Sequence, residues 1–374
     1  MKIIFVTDYI TKVTGGIRFL TDVLMLLART RHFEVFIITG SSDEYSKYIS
    51  SIPNLHLIDL NTYYKDRLPH QQIANIGRFI ERARSVVKKL MDCESILHTN
   101  NHIPNFIPFL MNTKTPIVCS IHHLEQPSGT YSFLAKFGSI FIQDLEVNTR
   151  SSIIHVPSRY VKEIVQYKTI INKNKVIVIP PGIDLQQYLN VKKNVEDGLF
   201  LMIGRLTKRK HYDHVVAAFN IVKKYRPEAK LVIIGEGPQR KEIEAMIKRH
   251  NLDSSIKLLG KVSEKEKINL LARSEALIHL GYPEGFGIVI IEALASGTPV
   301  IAYDVPPINE IVVHHKTGVL VKKDSVTGLA RAIIDIDRYN FHPDKLRRIA
   351  ERYDIYIVAR KFEKLYKYLV EPQR

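Results

Sequence analysis

The repeated alternation of short apolar runs with amphipathic helical patterns constrains this chain more than any other feature of its sequence. The runs are rich in Val, Ile and Leu, which is typical of parallel strands covered on both faces by helices. Strands are predicted at Lys2–Thr7, Val35–Thr39, Leu55–Leu60, Ser95–Thr99, Pro116–Ile121, Ser152–Val156, Lys175–Ile179, Leu199–Ile203, Leu231–Ile234, Ile256–Leu259, Ala276–His279, Pro299–Ala302 and Gly318–Val321. Intervening helices are predicted at Gly16–Arg29, Gln71–Met91, Tyr212–Lys224, Gln239–His250, Glu264–Arg273, Ile288–Ser296 and Ser325–Asp335. We therefore expect an α/β protein with two Rossmann-like, doubly wound parallel-sheet domains.

The predicted domain boundary lies at Pro180-Pro181-Gly182, because adjacent prolines are a poor continuation of a helix or a strand. The length of 374 residues also exceeds what one hydrophobic core usually supports. We assign residues 1–182 to the first domain and residues 183–353 to the second. Ligands of such sheets bind beyond the carboxyl ends of the strands, so we expect a site in a cleft between the domains.

The composition is that of a globular protein without membrane spans. Its longest apolar runs have the length of a strand, far short of the roughly 20 residues that a span requires. The first strand begins at Lys2, which leaves no room for a signal peptide. Cys93 and Cys119 match no metal or redox spacing, and we expect two reduced, buried thiols in a cytoplasmic protein.

The formal net charge of +16 admits nucleic acid, an anionic membrane or a polyanionic small molecule as a partner. No nucleic-acid-binding motif accompanies the charge, so a solvated surface with a basic cleft is the simpler interpretation. A peripheral contact with the inner face of a membrane is a further hypothesis, and a plain solvated helix face is its alternative. The hypothesis rests on Tyr63, Tyr64, Lys65, Arg67, Arg78, Arg82, Arg84, Lys88 and Lys89.

Two carboxylates, Glu284 and Glu292, bracket a glycine turn at the start of an apolar helix that ends before Gly297. The first N–H groups of a helix have no internal partner and lie at its positive end, which suits a phosphate. Carboxylates accept hydrogen bonds from hydroxyl groups such as those of ribose and hexose. The stretch thus predicts a site for a phosphorylated sugar, and an ordinary buried helix is the alternative.

Two further glycine-rich segments follow predicted strands. After Leu199–Ile203, Arg205 and Lys210 have the spacing to converge on one diphosphate, although a solvated basic loop would look similar. After Lys2–Thr7, Gly15 and Gly16 open a helix without the dinucleotide pattern or the P-loop lysine, which argues against NAD enzymes and ordinary NTPases. This glycine pair predicts a close backbone approach to a phosphate, or a plain tight turn.

The histidines at one strand end are candidates for a functional role, with a structural role as the alternative, and none predicts a metal site. His122 and His123 end the strand Pro116–Ile121, with Glu125 close by in the sequence. His102 and the His122–His123 pair lack partners at metal-ligand spacing, so no metal is expected. His314 and His315 fall in a predicted surface turn.

Taken in order, these motifs resemble those of the GT-B-fold, retaining glycosyltransferases of family 4. The stretch from Glu284 to Glu292 is similar to the Glu-x7-Glu signature of that family, Arg205 and Lys210 to its diphosphate motif, and Gly15-Gly16 to its N-terminal glycine loop. The resemblance covers essentially the whole chain. It departs from the family at Leu280-Gly281 and at Pro181-Gly182, where the family often has Pro-Ser and Asn-Gly.

The resemblance implies a role for each matching residue. Arg205 and Lys210 would hold the diphosphate of a nucleotide-sugar, Glu292 the ribose and Glu284 the hexose hydroxyls. His122, rather than His123, would lie near the anomeric carbon on the acceptor side. Backbone contacts to the sugar, phosphate or base are implied for Gly285, Phe286, Gly287, Ile288, Lys261 and Val262. The segment 354–374 would form a C-terminal helix that completes the first domain.

The expected function is transfer of a hexosyl unit, with retention, from a nucleoside diphosphate sugar to an unknown hydroxyl acceptor on a glycan, lipid or small molecule. Neither a metal nor a cofactor is expected, and nucleic acid is not an expected partner. A sugar-nucleotide epimerase of the same fold is one alternative. A non-catalytic protein that binds nucleotide-sugar or RNA is the other.

Overall fold

The computed structural model describes residues 1–10, 15–42, 45–62, 69–100, 102–122, 151–168 and 173–371. The chain forms two compact units: unit 1 comprises Met1–Gly182 and Ile355–Arg374, and unit 2 comprises Ile183–Asp354. These limits lie within one residue of those assigned from the sequence. Within the described ranges, no helix combines the length and the apolar character that crossing a bilayer would require.

Unit 1 is built on a seven-stranded parallel sheet in the order β3-β2-β1-β4-β5-β6-β7. Its strands are β1 Lys2–Thr7, β2 Glu34–Thr39, β3 Leu55–Asp59, β4 Ser95–Asn100, β5 Ile117–Ser120, β6 Ile153–Val156 and β7 Val176–Val178. Its helices are Gly15–Arg29, Tyr45–Ser50, Pro69–Leu90, His102–Asn105, Arg159–Lys168 and Ile355–Val370, with 3-10 turns at Pro108–Leu110 and Lys173–Lys175. The strand order reverses between β1 and β4, which places the switch point of this sheet there.

Unit 2 contains a six-stranded parallel sheet in the order β10-β9-β8-β11-β12-β13. Its strands are β8 Leu199–Ile203, β9 Lys230–Ile234, β10 Ile256–Gly260, β11 Ala276–His279, β12 Val300–Tyr303 and β13 Gly318–Val321. Its helices are Leu185–Leu189, Tyr212–Val222, Arg240–Arg249, Glu264–Arg273, Ile288–Ala295, Val326–Ile334 and Pro343–Glu351, with 3-10 turns at Lys208–Lys210, Ile308–Glu310 and Ile336–Arg338. The switch point lies between β8 and β11.

The helix Ile355–Val370 belongs to the core of unit 1, although it follows unit 2 in the sequence. Val358, Phe362 and Tyr366 recur at four-residue spacing and are fully buried in the cluster that also contains residues of β1 and of the helix Gly15–Arg29. Such spacing places all three on one helix face. The first sheet is therefore closed on one side by a helix from the far end of the chain.

The structure differs from the sequence-based expectations in several details. Cys119 is a buried thiol as expected, but Cys93 is exposed, because it lies in the polar turn between the helix Pro69–Leu90 and β4. The strands predicted from Pro116 and Pro299 each begin one residue later, at Ile117 and Val300. Proline has no N–H to give to the ladder, so the paired segment starts after it.

Candidate functional site

The switch point of unit 2 brings together the segments that follow β8 and β11. The N–H of Tyr282 donates to the carbonyl of Arg209 at 2.9 Å, which ties the two segments directly. The hydroxyl of Tyr212 donates to the carbonyl of Gly204 at 3.0 Å and fixes the start of the first segment. The position is the one at which sheets of this type bind ligands.

An ion-pair group that includes the buried Lys210 lies between these two segments. Oε2 of Glu284 lies 3.0 Å from Nζ of Lys210 and 2.6 Å from Nη1 of Arg209. Lys210 is only 6% exposed. A Cβ at Gly281 would lie 2.9 Å from the Lys210 ammonium and 2.8 Å from the Glu284 carboxylate, closer than any side chain tolerates. Glycine at this position therefore leaves the space in which the lysine and the glutamate meet.

The two cations keep Glu284 ionised in spite of its burial. Burial alone would raise the pKa of this carboxyl, but the charge of Lys210, with that of Arg209, outweighs burial and lowers the pKa to about 2. With two cations against one carboxylate, the group retains a positive charge at neutral pH. Such a group can attract a polyanionic ligand without a large rearrangement.

Glu292 forms a second buried pair on the adjoining helices. Its Oε1 accepts from Nζ of Lys267 at 2.8 Å, and Lys267 also pairs with Glu264 at 3.1 Å. Burial lowers the pKa of Lys267, but the charges of Glu292 and Glu264 together raise it above its ordinary value. Oε2 of Glu292 is buried and finds no hydrogen-bond partner among the described residues. A buried carboxylate with one oxygen unsatisfied is an acceptor prepared for a hydroxyl donor.

The glycine turn between the two glutamates begins the helix Ile288–Ala295. Gly287 occupies the N-cap with φ of 99°, a conformation that L side chains rarely adopt. Phe286 is buried, with its ring edge-on to Tyr353 at 5.6 Å between centroids. The buried Phe286 ring anchors the glycine turn. The N–H groups at the start of the helix come immediately after this turn in the sequence.

Unit 1 has a polar group at its own switch point. Nε2 of His122 hydrogen-bonds to Oδ1 of Asn100 at 2.6 Å, and Nδ2 of Asn100 donates to Oγ1 of Thr7 at 3.2 Å. Thr7 ends β1, Asn100 ends β4, and His122 lies just beyond β5. The amide therefore orients the imidazole with Nε2 as the donor, and Phe19 contacts the ring edge-on at 5.7 Å.

Comparisons with known proteins identify the family. Residues 189–353 match the family model for glycosyl transferases group 1, and residues 13–187 match that for glycosyltransferase family 4. The chain belongs to the family 4 glycosyltransferases.

Individual relatives of this glycosyltransferase are distant in sequence. The N-acetyl-alpha-D-glucosaminyl L-malate synthase of Bacillus anthracis is 26% identical over 84% of this chain and 82% of its own length. An uncharacterized glycosyltransferase of Methanocaldococcus jannaschii is 26% identical over 99% of both chains. The crystal structure of Anabaena HepE, in complex with UDP and glucose, matches with a TM-score of 0.77 at 18% identity, over 98% of this chain and 100% of that one. The structural match supports the GT-B fold.

The structure brings some of the predicted site residues of this glycosyltransferase together and leaves others apart. Lys210 and Glu284 are in direct contact, and Glu292 lies on the helix that follows Glu284. Arg205 is exposed and makes no ion pair with the described residues. Lys261 is exposed after β10, whereas Val262 packs partly against the core. Gly15 and Gly16 begin the first helix of unit 1, and His123 and Glu125 lie outside the described residues.

Three residues of the second unit were not predicted from the sequence. Arg209 pairs with Glu284, and Lys267 pairs with Glu292. His279 ends β11 and is buried, with no partner for Nε2 among the described residues. Burial, reinforced by the charge of Lys210, lowers the pKa of His279 to about 3, so its imidazole is neutral. Only its position at the carboxyl end of a central strand could have signalled this histidine in the sequence.

A buried chain of hydrogen bonds crosses unit 1 beneath His122. His155 donates from Nε2 to the carbonyl of Ile179 at 2.8 Å, so in a neutral ring its Nδ1 accepts from Ser120 at 2.7 Å. The Ser120 hydroxyl in turn accepts from Nε2 of His98 at 2.7 Å, and Nδ1 of His98 accepts from the Tyr366 hydroxyl at 2.6 Å. Every donor in this series of hydrogen bonds has an acceptor when both imidazole rings are neutral.

Burial favours these neutral rings. It lowers the pKa of His155 to about 4 and that of His98 well below its ordinary value. Both rings are therefore neutral at neutral pH, and their hydrogen bonds fix one tautomer in each. Ser120 and His122 lie on either side of Ile121. The hydrogen bonds of Ser120 therefore also hold the end of β5, from which His122 projects.

Proposed function

We propose that this glycosyltransferase moves a hexosyl unit from a nucleoside diphosphate sugar to a hydroxyl acceptor, with retention at the anomeric carbon. The observation that carries the proposal is the arrangement at the switch point of unit 2. There, a cationic group with an ionised carboxylate precedes the helix Ile288–Ala295, and the same helix carries the unsatisfied carboxylate oxygen of Glu292. A phosphorylated sugar has the complementary groups.

In this proposal, Lys210 and Arg205 hold the diphosphate. Lys210 is already oriented by Glu284, whereas the Arg205 guanidinium is exposed and can form a two-pronged contact with phosphate oxygens. The N–H groups from Gly285 to Ile288 add donors at the positive end of the helix. No metal or cofactor is needed at the diphosphate, because these groups supply the charge that it requires.

The ribose and the hexose are assigned to the two glutamates. Oε2 of Glu292 accepts from a ribose hydroxyl, while Lys267 holds the other carboxylate oxygen in place. Glu284 accepts from hexose hydroxyls while it stays ionised between Arg209 and Lys210. Backbone near Lys261 and Val262 contacts the base. Unit 2 thereby becomes the donor domain.

Chemistry then depends on stabilising the leaving group. The bond between the anomeric carbon and the diphosphate oxygen breaks, and the acceptor oxygen bonds to that carbon on the same face. The acceptor proton passes to the departing phosphate oxygen, whose developing charge Lys210 and Arg205 stabilise. No carboxylate nucleophile is needed for this front-face substitution.

The acceptor is assigned to unit 1, with His122 on the acceptor side. Its ring is held by Asn100 and Phe19, so it can direct one hydrogen bond to a hydroxyl group. The close approach to phosphate expected from Gly15 and Gly16 is part of the same proposal. These two glycines begin a helix of 15 residues at the carboxyl end of the sheet.

Contact with an anionic membrane surface is also proposed for unit 1. On the helix Pro69–Leu90, Phe79, Ala83 and Val87 are buried, and Arg78, Arg82, Lys88 and Lys89 are exposed. Since the apolar face is covered, any attraction to lipid would be electrostatic and would weaken with salt. Flotation with vesicles containing anionic lipid tests this idea, and no association at low salt would reject it.

The test of the donor assignment is a thermal-shift screen with UDP-, GDP- and ADP-sugars, because a ligand of the native state raises the melting temperature. UDP-hexoses are the first candidates, since the structural relative HepE was crystallised with UDP and glucose. A stabilising donor should then release its hexosyl unit to an acceptor with the anomeric configuration retained. Epimerised donor, or RNA binding without turnover, would support one of the alternatives, and inversion would reject the proposed stereochemistry.

A further inference from the structure

Unit 2 holds a cluster of nitrogen and carboxylate ligands that the proposed transfer reaction does not use. His211, His214 and Asp324 each offer one ligand atom, and these atoms lie within 4.8 Å of one another. The two imidazole rings are stacked, with centroids 4.9 Å apart. Nδ1 of His214 lies 3.9 Å from Oδ1 of Asp324.

The local fold explains why these three residues meet. His211 has φ of 52° and joins the 3-10 turn Lys208–Lys210 to the helix Tyr212–Val222. Three residues further on, His214 lies on the same side of the first helical turn. Asp324, with φ of 64°, lies in the turn before the helix Val326–Ile334, which packs against Tyr212–Val222. The cluster therefore joins the N-terminal ends of two neighbouring helices.

We propose that His211, His214 and Asp324 form a binding site for a divalent cation of the Zn²⁺ type. Two imidazoles and one carboxylate suit Zn²⁺, Co²⁺ or Ni²⁺, whereas Mg²⁺ and Ca²⁺ prefer sites made of oxygen ligands. Bonds of about 2.1 Å in a tetrahedral site place ligand atoms roughly 3.4 Å apart. Side-chain rotation at the exposed Asp324 can supply this small contraction.

The surroundings of the cluster support cation binding. The Tyr303 hydroxyl hydrogen-bonds to Nδ1 of His214 and holds that ring in place, so binding of a cation through Nδ1 would displace this hydroxyl. A second carboxylate, that of Asp213, lies 3.7 Å from Nε2 of His214.

Lys323 is the competitor for this site. Its Nζ lies 3.0 Å from Oδ2 of Asp324 in an exposed ion pair, and it also lies 5.2 Å from the centre of the Tyr282 ring. Exposed pairs of this kind contribute little, so a divalent cation can displace the ammonium. The site would tie the segment containing Lys210 to the turn after β13. It requires no nucleotide and stands apart from the proposed transfer.

The test is titration of the full, tag-free and chelator-treated chain with Zn²⁺ by calorimetry, and with Co²⁺ by absorption spectroscopy. One saturable equivalent is expected. Zn²⁺ affinity should fall at least about tenfold in both His214→Gln and Asp324→Asn, since even the loss of an outer partner has effects of that size. Asparagine tolerates the left-handed conformation, so Asp324→Asn keeps the turn and guards against misfolding.

Two further variants make the experiment specific. His315→Gln alters the exposed His314–His315 pair and should leave Zn²⁺ affinity unchanged. Lys323→Met removes the competing ammonium and should increase the affinity. Absence of saturable binding would overturn the proposal, as would binding that persists unchanged in both ligand variants.

Discussion

The ammonium of Lys210 lies 3.0 Å from the carboxylate of Glu284, although the two residues follow different strands and stand 74 positions apart. The parallel sheet brings β8 and β11 side by side, so residues that follow these strands meet at one edge. The contact explains how a lysine can be buried in a site assigned to a polyanion. Glu284 stabilises its charge before a ligand arrives.

Replacing Lys210 with methionine should lower the transfer rate at least about 100-fold, which corresponds to the loss of one preorganised charge-stabilising donor. The substitution keeps the buried stem but removes the ammonium that would stabilise the leaving diphosphate. Steady-state rates with the donor found in the screen provide the measurement. Lys208→Met, at an exposed position of the same 3-10 turn, is the control, and equal activities in the two variants would remove Lys210 from the proposed role.

The two arginines of the same segment should differ in their effects. Arg209 is already paired with Glu284, whereas Arg205 has no carboxylate partner among the described residues and is available to phosphate. We therefore expect Arg205→Ala to lower kcat/KM about tenfold or more and to exceed the effect of Arg209→Ala. The reverse order would assign the diphosphate contact to Arg209.

Glu292→Ala should weaken nucleotide binding about 10-fold to 100-fold, the effect of losing a hydrogen bond to a charged group. Lys267 would retain Glu264, so the fold should survive. Isothermal calorimetry of nucleotide binding tests the expectation. Glu264→Ala removes the other partner of the same lysine and is the matched control; a similar loss of affinity in both variants would point to Lys267, rather than to the unsatisfied oxygen of Glu292.

The pKa of Glu284 predicts a pH-dependent contribution to stability. The folded-state pKa of about 2 lies below the ordinary value of 4.5, so the stabilisation is present above pH 4.5 and is lost as the pH falls towards 2. The difference between these two pKa values corresponds to a contribution of about 3 kcal/mol at most to the free energy of unfolding. The difference in unfolding free energy between the native chain and Glu284→Gln should therefore shrink between pH 6 and pH 3. A difference in unfolding free energy that stays constant from pH 6 to pH 3 would contradict the lowered pKa of Glu284.

Tyr366→Phe should destabilise the chain by about 1 to 3 kcal/mol, because Nδ1 of His98 would lose the hydroxyl that donates to it in a buried position. Tyr368→Phe, at a side chain that is 58% exposed on the same helix, should change stability by less than about 0.5 kcal/mol. Thermal unfolding of the two variants makes the comparison. Equal melting temperatures would show that the buried chain of hydrogen bonds contributes little.

Much of this architecture could be predicted from the sequence because the apolar runs are short, regular and separated by clear helical patterns. The strand Leu199–Ile203 and the helix Glu264–Arg273 were predicted to the residue. The glycine turn before Ile288 was predicted from its spacing and from the resemblance to the family. Local sequence carries these features, so they could be recognised without coordinates.

The partners of the charged residues could not be predicted in the same way. Glu264 and Lys267 look like an ordinary exposed pair on one helix, and only the packing of that helix against Ile288–Ala295 turns Lys267 towards Glu292. Similarly, nothing near His279 in the sequence marks it as a buried, neutral imidazole beside Lys210. Contacts between distant segments decide both cases.

The discontinuous core of unit 1 has a consequence for the order of folding during synthesis. Residues 1–182 leave the ribosome without the helix Ile355–Val370, so the sheet of unit 1 at first lacks the side chains of Val358, Phe362 and Tyr366. All residues of unit 2, in contrast, have been made before that helix emerges. Of the two units, the one whose translation starts first is therefore the last to complete its core, and until then His98 lacks its tyrosine partner.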